Sequence, residues 1–338
     1  MNRKELDAFA AHHRLPRTAI EAALELANAQ PSVAERQRFV LRALQLAGVL
    51  SLAAGVVFFI AANWDALAIT GRFALVEAAL AVCVAGAIWQ PPPHAVGRYA
   101  VLLAFVVAGG LLALFGQTYQ TGADIYELFL TWAALGLLFA VAGQWSVTWA
   151  AWALVLNVAL LLFCGWRAES GWLFSLFFAL SLRPSEMMVL AMLANVLLWL
   201  ATLAVQRTRA AAQAPSWLGR FVLAWAVGFG TSAGIVVIAG ADYDFQFAAS
   251  SQISLIVSLA VLAGIAIHTL RKRHDVFPLA LIAASLIALT SVGLAEHLDL
   301  EEMALFFVLS VWLIASSTAS GRWLMKTLRA WRIEASSP

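Results

Sequence analysis

The sequence predicts an all-α polytopic membrane protein of about ten transmembrane helices, with both termini cytoplasmic and a short cytoplasmic N-terminal helical hairpin. Three observations carry that prediction. Of 338 residues, 63% are hydrophobic and 12% charged, and the mean hydropathy is +0.86. A soluble domain is about 45–50% apolar and about 25% charged, so a soluble fold of this length has too little interior to hide the excess. Second, a series of apolar runs approaches the roughly 20 residues that cross a hydrocarbon core about 30 Å thick. Third, the basic residues segregate between alternate loops, as they do when cytoplasmic loops retain positive charge. Together these exclude a soluble enzyme, a disordered chain and a nucleic-acid-binding domain.

Residues 1–43 read as a cytoplasmic helical segment. The capping-box pairs Asn2 with Glu5, Thr18 with Glu21 and Ser32 with Glu35 mark three helix starts. Pro16 and Pro31 punctuate them. Helices are expected over 3–13 and 19–29, with a third from 33 continuing into the first span, about 30 residues and about 45 Å long. Leu6, Phe9, Ile20, Leu24 and Ala27 give the hairpin one apolar face, too small for an independent core. That face docks on the chain's own inner loops, on the bilayer surface or on a membrane-protein partner. His12 and His13, being neighbours, point apart on a helix and share no metal.

The expected spans are 44–62, 73–90, 99–115, 126–143 and 147–165, then 187–206, 219–240, 251–270, 277–295 and 303–320. Spans one to five form a region 44–165, spans six to ten a region 187–320, and 321–338 a basic cytoplasmic tail. Between the two regions lies an outer loop, 166–186. Its apolar stretch 171–182 is too short to cross and reads as interfacial or re-entrant. The first apolar run starts near Leu44 and is too long for the core of a cleavable signal. With the N-terminus inside, every lysine and arginine except Arg72, Arg167 and Arg183 falls on the cytoplasmic side. Most acidic residues fall opposite, and Glu77 lies within a span. Trp64, Trp89, Trp145, Trp149, Trp166, Trp172, Trp217 and Trp323 sit near span ends, where amphipathic rings anchor helices. Cys83 and Cys164 lie in separate spans and read as small core residues, neither a disulfide framework nor a zinc site.

Polar chemistry gathers at three places on the expected outer face. The segment Gly116-Gln117-Thr118-Tyr119-Gln120-Thr121-Gly122-Ala123-Asp124-Ile125-Tyr126-Glu127 joins spans three and four without a lysine or arginine. Asn63-Trp64-Asp65 closes span one, and Glu77 lies about one turn into span two, about 6–8 Å below its start. With Arg72, these residues form a candidate ligand-binding set: Asn63, Asp65, Arg72, Glu77, Gln117, Tyr119, Gln120, Asp124 and Glu127. Plainer readings stand beside that one. Asp124 and Glu127 have the spacing of a capping box for span four, Asn63 suits a helix end, and Glu77 can snorkel to the interface. Four consecutive hydrogen-bonding side chains, Gln117 to Gln120, exceed what a turn needs, and an intramembrane carboxylate is costly unless paired, protonated or wet.

Ala61-Ala62-Asn63-Trp64-Asp65, followed by Gly116 through Asp124 and Glu127-Leu128-Phe129, resembles an uncharacterised bacterial membrane family, number 2157 among the domains of unknown function. The resemblance covers roughly residues 5–150. Gly321-Arg322-Trp323-Leu324 is similar to longer members. The resemblance implies a multi-pass protein of the bacterial inner membrane, working beside other small membrane proteins, and brings no substrate, cofactor or activity.

Elsewhere, Gly228, Gly230 and Gly234 lack the strand a nucleotide-binding loop needs, and Gly230 with Gly234 reads as a close-packing pair. Asn157 and Asn195, near the middles of spans five and six, are placed to hydrogen-bond across them. Gly240-Ala241-Asp242-Tyr243-Asp244 echoes the segment after span three, and nothing is built on it. The sequence offers no catalytic residue, metal cluster or cofactor motif, which argues against an enzyme. The leading expectation is a carrier or permease-like protein. In it, Glu77 takes a proton or cation, and the amides and tyrosine orient a small polar solute or lipid headgroup. The alternative is a non-catalytic assembly or sensory subunit that binds partner proteins through the N-terminal helices.

Overall fold

A computed structural model describes residues 33–63, 67–119, 124–165, 183–207, 216–240, 248–273 and 275–336. Among them the secondary structure is helical, with ten long helices: α1 Val33–Ala62, α2 Ile69–Trp89, α3 Ala95–Tyr119, α4 Ile125–Gly143, α5 Ser146–Gly165, α6 Pro184–Arg207, α7 Ser216–Ile238, α8 Ala248–His268, α9 Val276–His297 and α10 Glu302–Ser336. A π-helical turn, Thr269–Arg273, extends α8. Each expected span falls in one helix, in order. Helices α2 to α10 are long and apolar enough to cross a membrane. α1 has the expected 30 residues and carries the first apolar run in its second half. The helices expected over 3–13 and 19–29, and the segment 171–182, lie outside the described residues.

The ends of two elements differ from expectation. Gln117, Thr118 and Tyr119 form the last turn of α3 rather than a loop. Hydropathy marks where a helix leaves the apolar layer, whereas the backbone ladder continues until something interrupts it, and these three residues carry neither glycine nor proline. The basic segment after Ser320 likewise continues α10 unbroken to 35 residues.

The chain divides into two compact units, Met1–Cys83 and Val84–Pro338. In the first, Asn63 ends α1: its Nδ2 donates to the Phe59 carbonyl at 2.8 Å, and its backbone N–H reaches the same carbonyl at 3.1 Å. Arg72 Nε donates to Leu67 O at 3.1 Å, fastening the approach to α2.

In the second unit α7 is the central helix, packing on α5, α6, α8 and α9. Leu223 and Val227 of α7 meet Trp199 and Leu203 of α6, Leu262 and Ile265 of α8, and Ile282 of α9. The glycine pair of α7 serves two neighbours: a Cβ on Gly230 would strike Met192 Sδ of α6, and one on Gly234 would strike Leu289 of α9. The expectation of close packing is borne out, with the pair divided between two partners.

Helices α3, α4 and α5 are stitched by indoles. Trp132 of α4 donates to Phe105 O of α3 at 2.9 Å, and Trp152 of α5 donates to Ala133 O of α4 at 2.8 Å. A Cβ on Gly109 would meet the Trp132 ring, and one on Gly136 the Phe105 ring, so both glycines make room for stacked aromatics at 5.2 Å. α4 turns into α5 through Gln144, whose φ of 44° is left-handed. At the start of α9, Asp275 accepts from Phe277 N–H at 3.1 Å and pairs with Arg220 of α7 at 3.0 Å. The Arg220 guanidinium also lies 5.7 Å from the Phe277 ring centroid.

Candidate functional site

The candidate residues divide between the two units. Asn63, Arg72 and Glu77 belong to the first, and Asp65 and Gln120 lie outside the described residues. Asn63 and Arg72 spend the bonds just described on the backbone around the α1–α2 turn. Glu77 lies on an exposed face of α2. The helix begins at Ile69, four residues earlier than expected, so Glu77 stands about two turns, roughly 12 Å, from its start. Glu77 and Arg72 are five residues apart, about 140° around the helix, and form no ion pair with each other.

In the second unit, Gln117 and Tyr119 are exposed on the last turn of α3. The Tyr119 ring lies 4.8 Å from Phe115, one turn before it. Asp124 holds the N-cap position of α4, with φ −66° and ψ 152°, but its side chain makes no capping bond. The expected capping box is therefore a correction. The Glu127 N–H that Asp124 would cap is already donated to the Asp124 carbonyl at 3.0 Å. Among the described residues, Asp124 Oδ2 is buried without a hydrogen-bond partner, and the same is true of Thr118 Oγ1.

Tyr126 was not among the candidates and is the most enclosed polar residue at this end. It is 2% exposed, its ring packs edge-on to Phe163 of α5 at 5.3 Å, and its hydroxyl donates to Glu127 Oε1 at 3.4 Å. The signal lay in the periodicity. Tyr126, Ala133, Gly136, Ala140 and Gly143 form the buried face of α4, and a tyrosine on such a face needs a partner for its hydroxyl. This end of α4 thus combines two carboxylates with a tyrosine hydroxyl, a set that accepts hydrogen bonds and favours a donor-rich or cationic group.

Deeper in the unit several polar side chains pair with one another. Asn157 and Asn195 meet as expected, at 2.7 Å. Thr231 and Ser285 approach to 2.6 Å, and Ser185 donates to Ser254 at 3.3 Å. Among the described residues no group of three or more His, Cys, Asp or Glu side chains is placed to hold a metal.

Residues 7–149 match a family described as a predicted membrane protein, DUF2157. That range coincides closely with the stretch over which the sequence itself suggested the resemblance. No curated protein and no solved structure matches the chain.

Proposed function

We propose, from the DUF2157 match over residues 7–149 and the chemistry at the start of α4, that this multi-pass membrane protein is a carrier-like binder of a small polar solute or lipid headgroup. The observation that carries the reading is Asp124 Oδ2, buried at a helix N-terminus and without a hydrogen-bond partner among the described residues. A buried acceptor left unmade costs about 1–3 kcal/mol, a cost that a donor-bearing ligand would remove. Thr118, Tyr126 and Glu127 add a hydroxyl, a phenol and a second carboxylate at the ends of the same two helices. The reading places the protein in the bacterial inner membrane with both termini cytoplasmic, which puts the α3–α4 connection outside.

The test is native mass spectrometry of the full chain released from lipid nanodiscs. A small molecule or single lipid retained by wild type and lost in Asp124→Asn supports the reading. Identical adducts in both overturn it. Glu77→Gln, run in parallel, tests the separate expectation that the α2 carboxylate carries a proton or cation: unchanged ligand retention and unchanged pH response would remove it.

The assembly-subunit reading draws on α10. That helix packs on α9 and leaves Met303, Phe306, Phe307 and Ile314 at least 69% exposed, a surface for lipid or a partner helix. A stoichiometric protein companion in the same spectra, with no small ligand, would favour it.

A further inference from the structure

Helix α10 changes character at Ser320. Up to that point it is an apolar span. From Gly321 onward it is amphipathic, and its two faces separate cleanly. Arg322, Lys326 and Arg329 are exposed, and their i, i+4, i+7 spacing confines them to an arc of about 60°. Leu324, Thr327, Leu328 and Trp331 are half-buried and form the other face with the i, i+3, i+4, i+7 spacing of an apolar stripe.

Among the described residues no acidic side chain compensates the charge on the basic face. The helix carries no acidic residue between Glu302 and Glu334, and none of the three cations has an ion-pair partner among the described residues. Arg220 by contrast is committed to Asp275, and the Nε groups of Arg38 and Arg72 are committed to backbone carbonyls. The three cations share one open face of the helix with Gly321 and Met325. Space lies open where a Cβ on Gly321 would stand, so the end of this face nearest the span is bare backbone, and Met325 gives it an apolar patch.

We propose that this basic face binds the headgroup of an anionic phospholipid. The placement follows from the helix itself. A lipid whose chains lie along the apolar span ending at Ser320 presents its phosphate at the level of Arg322. The rise from Arg322 to Arg329 is about 10 Å, comparable to a headgroup layer of roughly 5–8 Å on each side of the hydrocarbon. Arginine supplies forked donors that match phosphate oxygens, and lysine adds a point charge. Clusters of about four to eight basic residues just beyond a span are the recurrent sequence form of anionic-lipid sites.

The experiment titrates phosphatidylglycerol against phosphatidylcholine onto the full chain, with bound lipid counted by native mass spectrometry. Wild type is expected to hold phosphatidylglycerol about ten-fold or more tightly over phosphatidylcholine, since each basic residue near an anionic surface contributes about five-fold. Arg322→Gln/Lys326→Gln/Arg329→Gln is expected to lose that preference, and Arg322→Lys/Arg329→Lys to keep most of it. Removing the same charge elsewhere, with Arg36→Gln/Arg38→Gln/Arg42→Gln, is expected to leave it unchanged. An undiminished preference in the first variant, an equal loss in the control, or displacement of the lipid by millimolar inorganic phosphate overturns the proposal. A measurement on wild type alone guards against misfolding of the variant. A photoreactive phosphatidylglycerol should label peptides within 321–331, and labelling confined to other helices overturns the proposal equally.

Discussion

Asn195 donates its side-chain amide to Asn157 Oδ1 across 2.7 Å, at a point where neither residue has any exposed surface. Each is also tied to its own helix: Asn195 Nδ2 reaches Ala191 O at 3.0 Å, and Asn157 Nδ2 reaches Ala153 O at 2.7 Å. The bridge joins α5 to α6. Both residues lie beyond the part of the chain that matches the family, which ends at 149.

Replacing one asparagine leaves the other only the bond to its own helix. Asn157→Leu or Asn195→Leu should each destabilise the bundle by about 1–3 kcal/mol, and the double variant by less than the sum. The coupling energy should be about 0.6–2 kcal/mol, read by detergent-driven unfolding in bicelles. Strict additivity would show that the two amides do not act as a pair.

The α3–α4 seam should tolerate loss of a hydrogen bond better than loss of space. Trp132→Phe keeps a ring beside Gly109 and gives up the bond to Phe105 O, costing about 0.5–1.5 kcal/mol. Gly136→Ala drives a methyl group into the Phe105 ring and should cost about 1–3 kcal/mol. The order of the two unfolding midpoints decides the matter.

Asp275 has two duties that substitution separates. Asp275→Asn retains an acceptor for Phe277 N–H and loses the charge pair with Arg220, which is partly exposed and contributes at most about 1 kcal/mol. Asp275→Ala loses the cap as well, at a further cost of about 1 kcal/mol. Equal destabilisation by the two variants would mean that the cap contributes nothing.

The proposed orientation is testable by fusion reporters. Alkaline phosphatase should be active when joined after Gly122, between α3 and α4. A fluorescent protein should be bright when joined after Gln144 or at the C-terminus. Inverted signals at all three positions would reverse the membrane orientation, and a discordant one would remove a span.

The number and order of the helices were legible because each contains an uninterrupted apolar run of the length a bilayer demands, and that signal is additive along the chain. Helix ends were less so. Gln117 to Tyr119 and the residues after Ser320 are polar enough to leave the apolar layer yet keep the backbone ladder, so hydropathy alone stops short of them. The Asn157–Asn195 bridge was legible because two amides at similar depth on consecutive spans have few other partners. The Trp132 and Trp152 stitches were not, because an indole that donates to a neighbouring helix has the same sequence appearance as one that merely fills space. At the start of α4 the sequence correctly identified Asp124 as the residue before the helix. It did not reveal that Asp124's own carbonyl would take the N–H its carboxylate was expected to cap. Nor did it mark Tyr126, whose role depends on Phe163 from the next helix.

α10 has no break between Glu302 and Ser336, so its membrane-facing and basic portions share one angular phase. Inserting a single neutral residue after Ser320 would swing Arg322, Lys326 and Arg329 by about 100° and advance them by about 1.5 Å, without altering the charge. Four inserted residues would nearly restore the direction while pushing the cations about 6 Å farther along the axis. An insertion series thus separates azimuth from depth: a function that fails with one added residue and returns with four depends on which way these cations face, and one that fails with both depends on how far they stand from the apolar span.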